Sequence, residues 1–142
     1  MGKAITIEVI GINDIQKDIS KIADTQKLDN AIAQATAQVL SSAKHIAPVD
    51  TGRLRNSIHM DIKKDGEETT GRVSTNLEYA PYVEFGTGIR GQQSNYPGNI
   101  RKGLSYSSKT QGQKAQPFMH PAMKQNEKRI KTLIENAIRE SI

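Results

Sequence analysis

The sequence predicts an α+β fold from three patterns in a chain of 142 residues. Apolar and polar residues alternate over 4–10, which is the period of a half-buried strand. Two more alternating segments flank Asp65-Gly66, a pair that suits a tight turn, and they predict an antiparallel hairpin. Apolar residues recur every three or four positions over 29–46 and again over 130–138, which is the spacing of amphipathic helices. The length of the whole chain suits a single domain.

The N-terminal elements are bounded by their flanking residues. The first strand is expected to stop at Gly11, and Asn13 resembles a helix cap because its side chain can accept from a free backbone N–H. The helix over 29–46 is expected to end before Pro48, because proline disfavours helix in the residue before it. The pattern leaves open whether the two apolar stripes form one continuous helix or are separated by a break at Asp24-Thr25-Gln26. The stripes are Ile12, Ile15, Ile19 and Ile22 for the first, and Leu28, Ile32, Ala35, Val39, Ala43 and Ile46 for the second.

The C-terminal half contains the hairpin, a short apolar segment and a last helix. The hairpin strands are expected at 58–63 and 69–75. Tyr79–Phe85 is expected to be a short helix, because Pro81 suits a first helical turn and Gly86 suits a helix end. The final helix follows Pro117 and Pro121, and its apolar stripe is Ile130, Leu133, Ile134, Ala137 and Ile138.

Composition excludes several classes of protein. Without cysteine there is no disulfide framework, no thiolate zinc site and no thiol nucleophile. There is no run of about 18 apolar residues that would cross a membrane, and the N-terminus lacks the apolar stretch of a signal peptide. A protein made in a cytoplasm and without membrane contact is therefore expected. Ile, Val, Leu and Phe number only 30 together, which predicts a thin core and stability gained by self-association.

Asp50-Thr51-Gly52 matches the catalytic triplet of aspartic proteases. Such enzymes place two aspartates over a shared water in a mostly β protein, whereas here a helical pattern precedes the triplet and Arg53 and Arg55 follow it. Two neighbouring cations also work against a carboxyl group that must hold a proton. The preferred interpretation is architectural: Asp50 or Thr51 caps a short turn, and Gly52 permits it.

No other arrangement of residues predicts catalysis. The histidines, His45, His59 and His120, lie on different predicted elements and lack partners at metal-ligand spacing. Residues 86–88 resemble part of a phosphate-binding loop but lack its Lys-Ser/Thr end. We therefore expect a protein that is not an enzyme and that has no metal and no cofactor.

The net charge of +5 arises from residues 86–116, which we call the basic segment. This segment contains no Asp or Glu and shows no periodicity. We expect a loop that extends away from the core and contacts an acidic protein surface or DNA. Tyr96 and Tyr106 are candidates for stacking on bases. The five cations of the segment are Arg90, Arg101, Lys102, Lys109 and Lys114.

Three motifs together resemble one protein family. The first motif is Ala47–Ile58 (APVDTGRLRNSI), the second is Tyr79–Gly88 (YAPYVEFGTG), and the third is Gln116–Met123 (QPFMHPAM). Their order and spacing are similar to those of the minor tail-component family of long-tailed bacteriophages. Members of that family act as neck, head–tail joining or tail-completion proteins.

The resemblance implies a small antiparallel sheet packed by two or three helices, in a virion subunit that forms a ring of six or twelve copies. The ring would lie between a head-completion or connector protein and a tail terminator or tail-tube protein. DNA would pass through it, so non-specific contact with the genome is a further implication. The alternative is a small basic nucleic-acid-binding module, which the basic segment favours and the neutral remainder of the chain opposes.

The motif residues also have a physical interpretation. Leu54 and Ile58 are expected to face the core, and Tyr79, Tyr82, Val83 and Phe85 to form an apolar knob. Glu84, within this knob, is expected either to be exposed or to pair with Arg53 or Arg55, and pairing is favoured. The residues interpreted as structural are Asp50, Thr51, Gly52, Tyr79, Tyr82, Glu84, Phe85, Gly86, Pro117 and Phe118.

Overall fold

The computed structural model describes residues 5–10, 25–66, 68–96 and 104–141. These ranges contain three strands and five helices, which confirms the predicted α+β class. The elements follow in the order β1 (Ile5–Ile10), α1 (Gln26–Ile46), α2 (Arg53–Ser57), β2 (His59–Asp65), β3 (Glu68–Thr75), α3 (Ala80–Phe85), α4 (Gly88–Gln93) and α5 (Met119–Ser141).

The strands form one sheet in the order β1-β3-β2, and both pairings are antiparallel. In the central strand, Val73 lies opposite Ile7 of β1 and Met60 of β2. The hairpin between β2 and β3 turns at Gly66, which has a φ of 61°, so the predicted turn at Asp65-Gly66 is confirmed. Because β1 and β2 are the two edges, each has one side that no described strand pairs with.

The long helices α1 and α5 pack along each other, and α1 also lies against one face of the sheet. Gly71 of β3 allows this close approach, because a Cβ at that position would overlap the hydroxyl of Thr36 on α1. The first motif supplies Leu54 and Ile58 to the same core, as predicted. The most deeply buried apolar side chains of the core are Ala35, Val39, Ala43, Ile58, Val73, Ala80, Phe118, Met119, Ala122 and Ile134.

The local predictions outside the basic segment are largely confirmed. The helix predicted over 29–46 begins slightly earlier, at Gln26, and ends at Ile46 before Pro48. The final helix is also present, but it begins at Met119, so Pro121 lies inside its first turn and not before it. Proline is tolerated there because the N–H groups of the first turn have no partner within the helix. The helical stripe predicted over 12–22 lies outside the described residues. The prediction that the basic segment contains no element is wrong, because α4 forms within it.

Candidate functional site

The first motif forms the turn between α1 and β2. Gly52 has a φ of 80°, a conformation that glycine adopts without strain, and it directly precedes α2. The Oγ1 atom of Thr51 accepts a hydrogen bond from the backbone N–H of Arg53 at 3.3 Å. Asp50 is exposed and makes no hydrogen bond with any residue in the described part of the chain. The role predicted for Asp50 or Thr51 therefore falls to Thr51, and it supports the turn.

The arginines of the first motif contact groups other than Glu84. The Nε atom of Arg55 donates to the backbone carbonyl of Lys44 at 2.9 Å, which joins α2 to the last turn of α1. The guanidinium carbon of Arg53 lies 6.0 Å from the ring centroid of Tyr79, at the outer limit of a cation–π contact. The predicted ion pair between Glu84 and one of these arginines is therefore wrong.

Glu84 is the buried centre at which the second and third motifs meet. It lies on α3 and is 1% exposed. Its Oε2 atom accepts hydrogen bonds from the backbone N–H groups of Phe118 at 2.7 Å and Met119 at 3.0 Å. Its Oε1 atom accepts from the backbone N–H of His120 at 3.1 Å and from the hydroxyl of Tyr96 at 2.8 Å. The carboxylate thus satisfies the free N–H groups at the start of α5.

This arrangement is a helix cap supplied from another element. The first N–H groups of a helix lack partners within the helix, and the helix dipole favours a negative charge there. The residue before α5 is Phe118, which has no side-chain oxygen that could accept such bonds. A helix start without a local cap, together with one acid in an apolar segment, is the sequence signal that could have identified the contact.

The apolar knob predicted in the second motif is only partly present. Phe85 is half-buried and its ring centroid lies 5.2 Å from that of Tyr96. Tyr82, by contrast, is 53% exposed, and Tyr79 is 37% exposed. On α3, Glu84 is buried and Tyr82 is exposed, whereas the predicted knob would bury the tyrosine.

The described parts of the basic segment fold back against α3. Backbone bonds join 87–90 to 110–113, including the N–H of Thr87 to the carbonyl of Gln113 at 2.9 Å and the N–H of Arg90 to the carbonyl of Gln111, also at 2.9 Å. The N–H of Gln116 donates to the carbonyl of Val83 at 2.8 Å. The expectation that this segment extends away from its own subunit is therefore wrong for the described residues.

Glycines make this close packing possible. Gly86 has a φ of 77°, and a Cβ there would lie 2.7 Å from the backbone nitrogen of Ala115. Gly112 has a φ of 66°, and a Cβ there would overlap the carbonyl of Thr87. Positive φ and backbone contact coincide at both positions, so any side chain would separate the two halves of the segment.

The tyrosines of the basic segment are used inside the subunit. Tyr96 is 7% exposed, its hydroxyl donates to Glu84, and its ring lies against Phe85 and His120. The hydroxyl of Tyr106 donates to the backbone carbonyl of Phe85 at 2.9 Å. The prediction that these rings are available for stacking on bases is wrong for Tyr96, which is buried.

The cations of the segment remain on its surface. Arg90, Lys109 and Lys114 are exposed, and none of them makes an ion pair with another described residue. Arg101 and Lys102 lie outside the described residues. The described surface therefore combines at least three positive charges with no acidic residue from the same segment.

A shallow cavity of about 280 Å³ separates α3 from residues 104–110. Its walls are mainly apolar and include the exposed side chains of Tyr82 and Leu104. Across the described ranges, no group of three His, Asp or Glu side chains is placed to hold a metal ion. The same ranges contain no helix with the length and apolarity needed to cross a membrane.

The chain was compared with known proteins. Comparisons with curated proteins and with solved structures give no significant match. A family model does match, over residues 12–86, and it is described as "Bacteriophage HK97-gp10, putative tail-component". This region contains the whole first motif and most of the second. Because the match covers more than half of the chain, the protein belongs to the HK97-gp10-like family of phage tail components.

Proposed function

We propose that this protein is a single-domain structural subunit of the phage neck, where copies of it form a ring that joins the DNA-filled head to the tail. Membership of a tail-component family is the observation that carries the proposal. In this proposal the ring contains six or twelve copies. It contacts a head-completion or connector protein on one side and a tail terminator or tail-tube protein on the other.

The use that the chain makes of its motifs supports a structural role. Glu84, the acid of the second motif, accepts backbone bonds from the third motif and is closed off from solvent. Thr51 and Gly52 of the first motif form a turn. These polar groups are used to hold the backbone in place, so they are not available to a substrate, which favours a structural role.

We further propose that the cations of the basic segment contact neighbouring virion proteins. Arg90, Lys109 and Lys114 are solvent-exposed, and their charge has one sign, which favours an anionic partner. An acidic protein surface is preferred over DNA because the buried ring of Tyr96 contributes no stacking. Arg101 and Lys102 are assigned to the same contact surface.

Native mass spectrometry and electron microscopy of the purified protein test the ring directly. A closed ring of six or twelve copies supports the proposal. A strict monomer that binds duplex DNA, with an affinity that falls steeply with salt, would instead favour the nucleic-acid-binding module.

Charge variants test the contact surface. Changing Arg90, Lys109 and Lys114 to Gln should reduce the infectious titre in a phage that lacks its own copy of the gene, while the subunit stays folded. The matched control changes Lys128, Arg129 and Arg139, three exposed cations of α5, to Gln. Equal loss of titre in both variants would show that net charge, and not the basic segment, is what assembly requires.

A further inference from the structure

The edge strand β2 is largely exposed to solvent. Every residue of this strand is exposed except Met60, which is half-buried. Ile62 is 38% exposed, although it lies on the side of the sheet that faces α1. Its outer row of N–H and C=O groups pairs with no strand of the described part of the chain, and such an edge of seven residues is a template for pairing with another strand.

Edge strands are commonly protected by charged side chains, and β2 contains four of them. The arrangement of these charges does not simply block pairing along the edge. Lys64 does not project from the edge, because its Nζ atom bonds to Asp29 on α1 at 2.6 Å. Asp61 and Lys63 lie on the opposite face, have opposite signs, and make no ion pair with any other described residue.

The sequence of β2 is complementary to itself in antiparallel register. With Ile62 opposite its own copy, Asp61 of each strand lies opposite Lys63 of the other, and His59 lies opposite Asp65. The two-fold axis then gives two Asp–Lys pairs on one face and an apolar Ile–Ile pair on the other. Cross-strand pairs of these kinds stabilise a sheet.

Neighbouring registers are unfavourable. Directly opposed residues must lie on the same face, so the alternatives are centred on Asp61 or on Lys63. Centring on Asp61 places that aspartate opposite its own copy and His59 opposite Lys63. Centring on Lys63 places two lysines opposite each other and Asp61 opposite Asp65. Of these three registers, only the one centred on Ile62 brings opposite charges together along the strand. A register centred on Lys64 also forms two Lys63–Asp65 pairs, but it places Lys64 opposite its own copy.

We propose that β2 is a self-recognition surface, through which two copies of this chain pair edge to edge about a two-fold axis at Ile62. The pairing extends the three-stranded sheet into a continuous six-stranded one. The partner is a second copy because the charge pattern of β2 matches its own reversed sequence. This proposal does not depend on the neck assignment, since it concerns the association of free subunits.

The test measures the dimer dissociation constant of the full chain by sedimentation equilibrium at several protein concentrations. Asp61→Lys alone puts lysines opposite each other at two places, and Lys63→Asp alone does the same with aspartates. Each single variant should weaken the dimer by about tenfold or more, because two attractive pairs become two repulsive ones. The double variant carrying both changes restores the opposite-charge pairs and should recover the original dissociation constant.

Controls keep folding separate from association. Both positions are exposed, and circular dichroism of the dilute variants should match that of the parent chain. Thermal unfolding should match for Lys63→Asp, which lies opposite Thr70, whereas Asp61→Lys lies opposite Arg72 and should lower the midpoint of thermal unfolding by a few degrees without unfolding the subunit. Backbone amides at the outer edge of β2 should exchange with solvent more slowly at high protein concentration in the parent and in the double variant, but not in the single variants.

Three outcomes would overturn the proposal. The parent chain could remain monomeric at every concentration. It could self-associate with a strength that neither single variant changes, which would assign the contact to another surface. The single variants could weaken association without recovery in the double variant, which would mean that β2 meets a different surface, such as the β1 edge of a neighbour.

Discussion

Replacing Glu84 is the sharpest test of the helix cap that joins the second and third motifs. The carboxylate is buried and accepts four hydrogen bonds, three of them from backbone N–H groups at the start of α5. Hydrogen bonds to a charged group contribute about 1.5–3 kcal/mol each, but they do not add when they share one acceptor. The Glu84→Gln change keeps the volume of the side chain and removes the charge.

The geometry sets the expected magnitude. A glutamine can direct its one oxygen at the N–H groups of Phe118 and Met119, but its NH₂ group then faces the N–H of His120. The hydroxyl of Tyr96 can rotate to accept from that NH₂ group. The loss is therefore one backbone bond and the charge–dipole interaction, about 2 kcal/mol in the free energy of unfolding. Glu84→Ala also leaves a cavity and removes the acceptor of all four donors, and should cost about 4 kcal/mol.

Urea unfolding followed by circular dichroism measures both changes. For a domain of this size the dependence on urea is about 2 kcal/mol per molar, so Glu84→Gln should lower the midpoint by about 1 M. Glu78→Gln is the matched control, because Glu78 is exposed just before α3 and should change stability by less than about 0.5 kcal/mol. Faster amide exchange at residues 118–120 in the Glu84 variant would localise the effect. A Glu84→Gln protein as stable as the control would refute the cap.

Three further predictions concern single side chains. Gly112→Ala should cost several times the roughly 1 kcal/mol expected for Gly66→Ala in a urea titration, because both have positive φ but only Gly112 also abuts backbone. Although burial favours its neutral form, hydrogen bonds from Lys64 and Thr69 hold the pKa of Asp29 below its ordinary value. The ionised carboxylate therefore stabilises the folded protein above about pH 4, and this stabilisation is lost as pH falls through the lowered pKa. Asp29→Asn should lower the free energy of unfolding at pH 7, and in acid the free energies of the variant and the parent should become equal. Thr51→Ala should lower the free energy of unfolding by about 0.5–1 kcal/mol, whereas Asp50→Ala should change it by less than about 0.5 kcal/mol. In a peptidase assay the parent and the Asp50→Ala variant should both be inactive.

The elements that the sequence predicts correctly are those that depend on local patterns. The alternation around Asp65-Gly66 and the stripe from Leu28 to Ala43 each report on neighbours within a few positions. A hairpin turn and a helix face are decided over that range, so their prediction needs no knowledge of distant contacts. The motif order also led to the right family, because spacing along the chain is a property of the sequence itself.

The role of Glu84 could not be predicted in the same way. Its backbone partners lie 34 to 36 positions further along the chain, and the hydroxyl of Tyr96 lies 12 positions away. A buried acid is unfavourable unless its hydrogen bonds are satisfied, so the sequence alone predicts an exposed or ion-paired side chain. The fold provides backbone donors instead of a cation, and charge counting along the sequence gives no indication of them.

The prediction that the basic segment extends away from the core is wrong for a related reason. A glycine-rich stretch without periodicity is typical of an exposed loop, but here the glycines permit backbone-to-backbone contact. Gly86 and Gly112 lie against backbone atoms of the same segment, and Tyr96 and Tyr106 donate hydrogen bonds to α3. Deleting 91–114 should therefore destabilise the subunit, because the hydrogen bond from the Tyr96 hydroxyl to Glu84 and the packing of Tyr96 on Phe85 would be lost. An extended loop could instead be removed without loss of stability.

The two proposed associations make opposite demands on symmetry. A single-layer ring between head and tail has different partners above and below, so all its subunits point the same way. The β2 contact turns one copy over relative to the other, and it cannot occur within such a ring. Free dimers would then have to separate before assembly, and Asp61→Lys, which weakens the dimer, should form rings at equal or lower protein concentration. If that variant instead fails to assemble and the double variant with Lys63→Asp recovers, the two-fold contact belongs to the mature particle and the assembly has two layers.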